Sequence, residues 1–226
     1  MDSVVKPLSL GVAIRQGWLG FKNNLAFYLI SILIMFFVQI AYSYYMNGAA
    51  NPEVMTGANG EKIAELPPGV IFGHFIGFLA YIIFALGFFL GIFRASIEVI
   101  RGGKASFSHY FQWPGDLWRA FLGYILYGLI ILAGIILLIF PAIIWGVRYM
   151  FFPYLIADKH VGPVDSLKLS SQATYGAKWD LLGFVLVIDL LWLPAALTIG
   201  LGLFIVTPLW ALTKAALYVK LTKDAA

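Results

Sequence analysis

The sequence predicts an all-α polytopic membrane protein with six transmembrane helices, arranged as three hairpins that each follow a short interfacial amphipathic helix. Of its 226 residues, 62% are hydrophobic and 12% are charged, and the mean hydropathy is +0.89. A soluble domain carries about 25% charged residues, so this chain cannot cover a water-facing surface. Apolar runs take up most of the length, which predicts one membrane domain over residues 1–226. The predicted spans lie at about 25–46, 69–93, 120–140, 142–157, 181–199 and 203–219.

An amphipathic helix is predicted before each hairpin. In the first, apolar residues recur at helical spacing while Arg15 and Lys22 fall elsewhere, which is typical of a helix at the cytoplasmic interface. Its apolar residues are Leu10, Ile14, Trp18 and Phe21. The second helix is predicted to follow Ser106 as its N-cap, and the third to cover 163–179 with Trp179 at its end.

The second span carries glycines four residues apart, among them Gly73 and Gly77. Small residues at this spacing let helix backbones approach closely, so we predict a tightly packed span. His74 lies on the same face, where a hydrogen-bonded packing role is the favoured interpretation and a lipid or substrate contact is the alternative. A metal site there would need a second ligand three or four residues away, and the sequence has none.

The third and fourth spans meet at Pro141 without a polar loop, and the fourth span contains Arg148. A charge in the hydrocarbon core costs several kcal/mol unless it pairs, reaches the interface or lines a cavity. Asp189, in the fifth span, lies at a depth that differs from that of Arg148 by about 5 Å. We predict that Arg148 and Asp189 form a buried pair that holds these spans together. The alternatives are a phosphate or lipid headgroup on Arg148, a proton site on Asp189, or an Arg148 side chain that extends to the interface.

Positive charge is distributed unevenly between the two sides predicted for the membrane. All lysines and arginines except Lys62 and the intramembrane Arg148 fall on one side of the six spans. The loop that contains Lys62 also carries Glu53, Glu61 and Glu65. Since basic segments stay in the cytoplasm, both termini are predicted to be cytoplasmic. The same flanking role accounts for the net charge of +4, so no nucleic-acid partner is expected.

The sequence contains none of the common constellations of an enzyme. There is no cysteine, hence no thiol nucleophile, thiolate metal site or disulfide framework. There is no HExxH, no Walker-type glycine loop, no Ser-His-Asp order and no pair of catalytic carboxylates. We therefore predict a protein that is not an enzyme, with no catalytic residue, no cofactor and no metal.

A set of apolar and small-residue motifs carries a family resemblance. They are Leu137–Pro141 with Trp145, Arg148 and Tyr149, then Pro153–Asp158, Gly162–Ser170, Gly176 with Lys178 and Trp179, and finally Pro208 and Tyr218. Together they resemble the bacterial six-span membrane proteins grouped with the glycerophosphodiester phosphodiesterase membrane domain. The resemblance implies a protein of the bacterial inner membrane and carries over no catalytic residues, because the hydrolase of fused members is a separate soluble barrel.

Two classes of function follow from these observations. The first is a non-enzymatic scaffold or accessory protein in envelope homeostasis, with membrane lipids, a membrane or cytoplasmic protein, or a second copy of itself as partner. The second is a transporter, channel or lipid-handling protein that recognises anionic headgroups or substrates through Arg148. A cavity that reaches Arg148 would favour the second class, and a tightly packed bundle with this side chain satisfied internally would favour the first.

Overall fold

The structure is a computed structural model that describes residues 10–49, 68–112, 115–190 and 202–224. Within these residues it contains nine α-helices and one short 3-10 helix, Phe107–Phe111, and no strand. The α-helices are α1 (Leu10–Asn23), α2 (Leu25–Ala49), α3 (Pro68–Ile100), α4 (Asp116–Leu137), α5 (Ile139–Tyr149), α6 (Phe152–Lys159), α7 (Pro163–Ala173), α8 (Lys178–Leu190) and α9 (Leu203–Asp224).

Five helical segments among the described residues are long and apolar enough to cross a bilayer. They are Leu25–Asn47, Gly69–Ile100, Asp116–Leu137, Ile139–Lys159 and Phe204–Thr222. A transmembrane helix needs about 20 mostly apolar residues, so these segments confirm the predicted class of α-helical membrane protein. The predicted fifth span continues past α8 into residues 191–199, which lie outside the described residues. The number of six spans therefore stays a prediction.

The chain divides into two compact units, one formed by residues 29–86 and the other by residues 1–28 and 87–226. In the first unit, α2 and the start of α3 pack through tyrosines and glycines. A Cβ atom placed on Gly77 would come 2.5 Å from a ring carbon of Tyr45, so any other residue would have to displace that ring. Tyr42 stacks on Tyr81 with ring centroids 4.4 Å apart. This close packing is the kind expected from glycines four residues apart.

The second unit contains the main core, in which α1 crosses α9 at very short range. A Cβ atom on Gly17 would lie 2.5 Å from the Thr213 Oγ1 atom and 3.1 Å from the Thr213 backbone nitrogen. The amphipathic α1 was predicted from the sequence as an interfacial helix, and the structure adds that one of its faces, made mostly of small residues, is buried against the protein. Its buried residues are Ala13, Gly17, Gly20 and Phe21, while Trp18 is 41% exposed. The helix packs by its smallest residues because so close a crossing has no room for an indole ring.

Helix α3 is longer than the predicted second span. Its 33 residues extend for about 50 Å, whereas a bilayer core is about 30 Å thick. The first part exposes large apolar side chains such as Phe72, and the part from Gly87 onward buries side chains such as Leu90 and Ile97. Arg94, predicted to follow the end of the span, instead lies inside the helix and is 7% exposed.

The turn between α4 and α5 lies at Leu138, three residues before the predicted position at Pro141. Leu138 has an extended backbone, and its N–H donates to the Gly134 carbonyl at 3.0 Å. Gly134 allows the tight return, because a Cβ atom there would lie 2.7 Å from the Ala142 Cα atom. Pro141 falls in the first turn of α5, where a missing N–H leaves no helical hydrogen bond unmade.

The predicted third amphipathic helix, 163–179, is two elements. Helix α7 ends at Ala173, and after a short turn α8 begins at Lys178, so that Trp179 belongs to the first turn of α8. Gly176, in that turn, has a φ of +84°, which ends helical continuation. Only one face of α7 is buried, through Ser166, Leu167 and Ser170, as an amphipathic helix requires.

The predicted second amphipathic helix is the 3-10 helix. Ser106 is its N-cap, as predicted, and the Oγ atom of Ser106 accepts a hydrogen bond from the Ser108 N–H at 3.3 Å. Phe107 and Tyr110 of this helix pack their rings on Phe27, at the start of α2, with centroid distances of 5.0 and 5.7 Å. The short helix is therefore held in place by aromatic contacts.

Candidate functional site

The predicted fourth span is broken between α5 and α6, immediately after Tyr149. Pro153 lies in the first turn of α6, and a proline at that position cannot continue a helix from the preceding turn. α5 therefore ends at Tyr149, and α6 begins at Phe152. The break frees backbone polar groups that need other partners inside an apolar environment.

Hydroxyl groups of α7 supply these partners. The Ser170 Oγ atom accepts a hydrogen bond from the Phe151 N–H at 3.2 Å and donates to the Arg148 carbonyl at 3.1 Å. The Thr174 hydroxyl lies 3.0 Å from the same carbonyl oxygen. Both Ser170 and Thr174 are fully buried. α7 is thus tied to the break by buried hydrogen bonds, which explains why a polar helix segment packs here.

The Arg148 side chain points to the edge of this contact and is half-buried. Its Nε atom donates to the Ser171 Oγ atom at 2.6 Å, and its guanidinium carbon lies 5.6 Å from the centre of the Tyr149 ring. Within the described part of the chain, no carboxylate pairs with it and no group accepts from its terminal nitrogens. The side chain of Asp189 lies outside the described residues, so the predicted Arg148–Asp189 pair stays a prediction.

A groove of about 800 Å³ opens beside Arg148, between α4, α5 and α7. Each helix contributes residues from one of its faces, most of them three or four positions apart. The apolar wall consists of Leu126, Leu129, Ile130 and Ala133 of α4, Trp145 and Tyr149 of α5, and Val164 and Leu167 of α7. The polar edge consists of Arg148, Lys168 and Ser171. This volume falls in the range of about 300–1,000 Å³ that small-molecule sites occupy.

Lys168 adds a second positive charge that is only weakly engaged. Its closest carboxylate is that of Asp165, 4.0 Å away on the same helix, and both side chains are about 70% exposed. An exposed pair at this distance contributes little and leaves the ammonium group available. The groove therefore combines two cations, one hydroxyl and a long apolar wall, which is the chemistry that an anionic amphiphile requires.

A second polar cluster surrounds Arg94 and was not predicted from the sequence. The Arg94 Nε atom donates to the Ala157 carbonyl at 3.0 Å, one terminal nitrogen donates to the Gln112 carbonyl at 2.5 Å, and the other pairs with Asp116. Asp116 also accepts from Arg119 at 2.8 Å and lies 2.5 Å from the His160 ring. All three guanidinium nitrogens of Arg94 are thus engaged, which makes this cluster a structural junction between α3, α4 and α6.

A third cluster joins the ends of α3, α6 and α9. Arg101 donates two hydrogen bonds to Asp158, at 2.6 and 2.7 Å, and the Tyr218 hydroxyl donates to the same carboxylate at 2.8 Å. The hydrogen bonds with Asp158 raise the pKa of Arg101 further above its usual value. The bidentate geometry favours a fixed orientation of the guanidinium group. This cluster, too, is explained by the packing of helices.

His74 lies in the other unit, on residues 29–86. Its Nδ1 atom is 2.7 Å from the Val70 carbonyl oxygen, and its Nε2 atom is 3.3 Å from the Met46 carbonyl oxygen. These contacts suit the packing role favoured by the sequence, and its use as a lipid contact stays a prediction. Across the described ranges, no group of three or more His, Asp or Glu side chains is arranged to hold a metal ion.

No protein-family model, curated protein or solved structure matches this chain. The geometry of the groove, with the residues that line it, is therefore what bears on function.

Proposed function

We propose that this chain is a six-span, non-enzymatic integral membrane protein that binds an anionic lipid in the groove between α4, α5 and α7. The observation that carries the proposal is the groove itself, which places Arg148 and Lys168 at the edge of an apolar wall. Of the two functional classes that the sequence left open, lipid handling is the one that such a groove favours over a scaffold or accessory role. Placement in a bacterial inner membrane with cytoplasmic termini, as the family resemblance and the charge distribution predict, belongs to the same proposal.

The chemistry of the edge favours a phosphate. A guanidinium group presents several N–H donors in one plane and binds phosphate oxygens bidentately, whereas an ammonium group acts as a point charge. Arg148 has its Nε atom fixed by Ser171, and its two terminal nitrogens have no acceptor among the described residues. Lys168, three residues before Ser171 on α7, adds attraction without a fixed direction. An anionic headgroup would thus meet one oriented and one mobile cation.

The experiment compares lipids retained by the purified protein in nanodiscs that contain phosphatidylglycerol and phosphatidylcholine. We expect enrichment of phosphatidylglycerol around the wild-type protein and a loss of about tenfold in its affinity for the Arg148→Gln variant, the size of one charge-assisted contact. The matched control is Arg15→Gln, which removes an exposed arginine of α1 outside the groove. Native mass spectrometry counts the bound lipids in each case.

A second pair of variants tests the groove and leaves its charges in place. Ala133→Phe fills the apolar wall, and we expect it to reduce phosphatidylglycerol retention although Arg148 and Lys168 are intact. Leu132→Phe, one residue earlier and on an exposed face of α4, is the control and should retain lipid normally. Equal retention of both lipids by the wild-type protein would contradict the proposal.

The predicted buried pair has a different signature. If Arg148→Gln and Asp189→Asn lowered the unfolding temperature equally and left lipid binding unchanged, the result would favour the Arg148–Asp189 pair.

A further inference from the structure

Helix α2 carries a polar stripe on one exposed face. Gln39, Ser43 and Asn47 follow each other at intervals of four residues, and all three side chains are exposed. At about 100° per residue, they turn through only about 80° of the helix circumference. The exposed apolar residue Phe36 lies within the same arc about one turn before Gln39, and exposed Ile40 lies about 20° beyond Asn47. The helix is otherwise strongly apolar and belongs to a segment long enough to span a bilayer.

The hydrogen bonds available within the described residues satisfy this stripe only in part. The Tyr81 hydroxyl donates to the Gln39 Oε1 atom at 2.5 Å, and the amide nitrogen of Gln39 has no described acceptor. The Asn47 Nδ2 atom donates to the Ser43 Oγ atom at 3.3 Å, and the Asn47 side-chain oxygen has no described donor. Polar groups that face hydrocarbon without partners are unfavourable, and in membrane proteins such side chains usually face another helix.

We infer that α2 docks against α2 of a second copy of this chain along the face of Gln39, Ser43 and Asn47. Every copy enters the membrane in the same orientation, so equivalent residues of two copies lie at the same depth. A primary amide contains both donors and an acceptor, and two facing amides therefore satisfy each other across a two-fold axis. The stripe carries no charge, so two copies of it do not repel each other. A partner with a different surface would need its own complementary groups, whereas the same stripe already provides them.

Ser43, in the middle of the stripe, determines how closely the two helices approach. A small residue at the centre lets the backbones come near enough for side-chain amides to reach across. Gln39 and Asn47 lie one turn to either side of it, Phe36 would extend the contact by one further turn, and Ile40 would pack at the rim. The residues of this docking face all belong to the unit of residues 29–86, and none of them lines the lipid groove.

The chain has no cysteine, which permits a direct test by disulfide cross-linking. Ser43→Cys puts a thiol in the stripe, and Ala41→Cys puts one at an exposed position about 200° around the helix and only about 3 Å different in depth. The purified variants are reconstituted at low protein density in phosphatidylcholine vesicles and oxidised. We expect Ser43→Cys to form covalent dimers about tenfold faster than Ala41→Cys. Equal rates, or faster reaction of Ala41→Cys, would overturn the inference.

A measurement without cysteine completes the test. The dimer fraction of fluorescently labelled full-length chains in the same vesicles is followed by energy transfer on dilution with lipid. Gln39→Leu together with Asn47→Leu should raise the dissociation constant about tenfold, and Gln16→Leu, which removes an exposed amide of α1, should leave it unchanged. An unchanged dimer after loss of both stripe amides would refute the docking face. Cross-linking of Ser43→Cys in native membranes to a different protein, without covalent homodimer, would assign the face to another partner.

Discussion

Arg94 and Arg148 are two arginines inside apolar helices, and their surroundings differ. Arg94 is almost fully buried and engages two backbone carbonyls and the Asp116 carboxylate. Arg148 is half-buried and has one hydroxyl, that of Ser171, as its described hydrogen-bond acceptor. A buried charge is tolerated when its hydrogen bonds are complete, and one with unused donors is available to a ligand. We therefore expect the first arginine to contribute to stability, and the second is the one that the proposed lipid site uses.

Replacing Arg94 tests this assignment. Arg94→Leu leaves Asp116 buried without its main cation, and we expect it to lower the free energy of unfolding by about 3–5 kcal/mol, the cost of breaking a buried pair. Thermal unfolding in detergent, followed by tryptophan fluorescence, measures the change. The matched control is Arg119→Gln, which removes the exposed partner of the same carboxylate and should cost under about 1 kcal/mol.

The double variant Arg94→Leu with Asp116→Leu removes both charges at once. We expect it to regain part of the lost stability, since no buried charge is left unpaired and Arg119, which loses its partner Asp116, is exposed to solvent. If Arg94→Leu and Arg119→Gln lowered the unfolding temperature equally, the junction would not depend on the buried pair.

At the scale of elements, the crossing of α1 and α9 depends on the absence of a side chain at Gly17. The approach is close enough that one methyl group would meet the backbone of Thr213 as well as its hydroxyl. Backbone atoms cannot rotate away as a side chain can, so the two helices would have to separate. The contact thus fixes the position of the N-terminal helix in the second unit.

A pair of alanine substitutions within α1 measures this effect. Gly17→Ala should lower the free energy of unfolding by about 1–3 kcal/mol through overpacking. Gly11→Ala adds the same methyl group where no atom lies within 4 Å, and it should raise stability by up to about 1 kcal/mol through helix propensity. Chemical unfolding of both variants shows directly whether each substitution raises or lowers the free energy of unfolding. Stabilisation by Gly17→Ala would contradict the close crossing.

At the scale of the whole molecule, the predicted orientation can be tested because the chain has no native thiol. Lys62→Cys and Lys104→Cys are predicted to lie on opposite sides of the membrane, since Lys62 is the cation of the predicted outer loop. In intact cells, an impermeant maleimide should label Lys62→Cys and should label Lys104→Cys only after the membrane is permeabilised. Labelling of Lys104→Cys in intact cells would reverse the predicted topology.

The sequence predicted the helical class and the five apolar segments found among the described residues, because these depend on composition and run length alone. It also predicted that Arg148 is distinctive, since a charge in an apolar run is visible without a structure. It missed the Arg94–Asp116 pair, whose members lie 22 positions apart and each look like ordinary helix-flanking charges. It also placed the turn at Pro141 and not at Leu138. A proline signals a turn in a sequence, whereas the residue that permits this turn is Gly134, which lies one helical turn before Leu138.

The break between α5 and α6 has a consequence for how the chain is made. Ribosomes deliver the segment 139–159 to the membrane before α7 exists, and the hydroxyls that pair with its freed backbone groups lie about 20 residues further on. Until this part of the chain has been synthesised, the backbone groups freed by the break lack the hydroxyls of Ser170 and Thr174. Arg148 likewise lacks the hydroxyl of Ser171. The hydrogen bonds that satisfy the break between α5 and α6 can therefore form only after α7 and Thr174 have been synthesised.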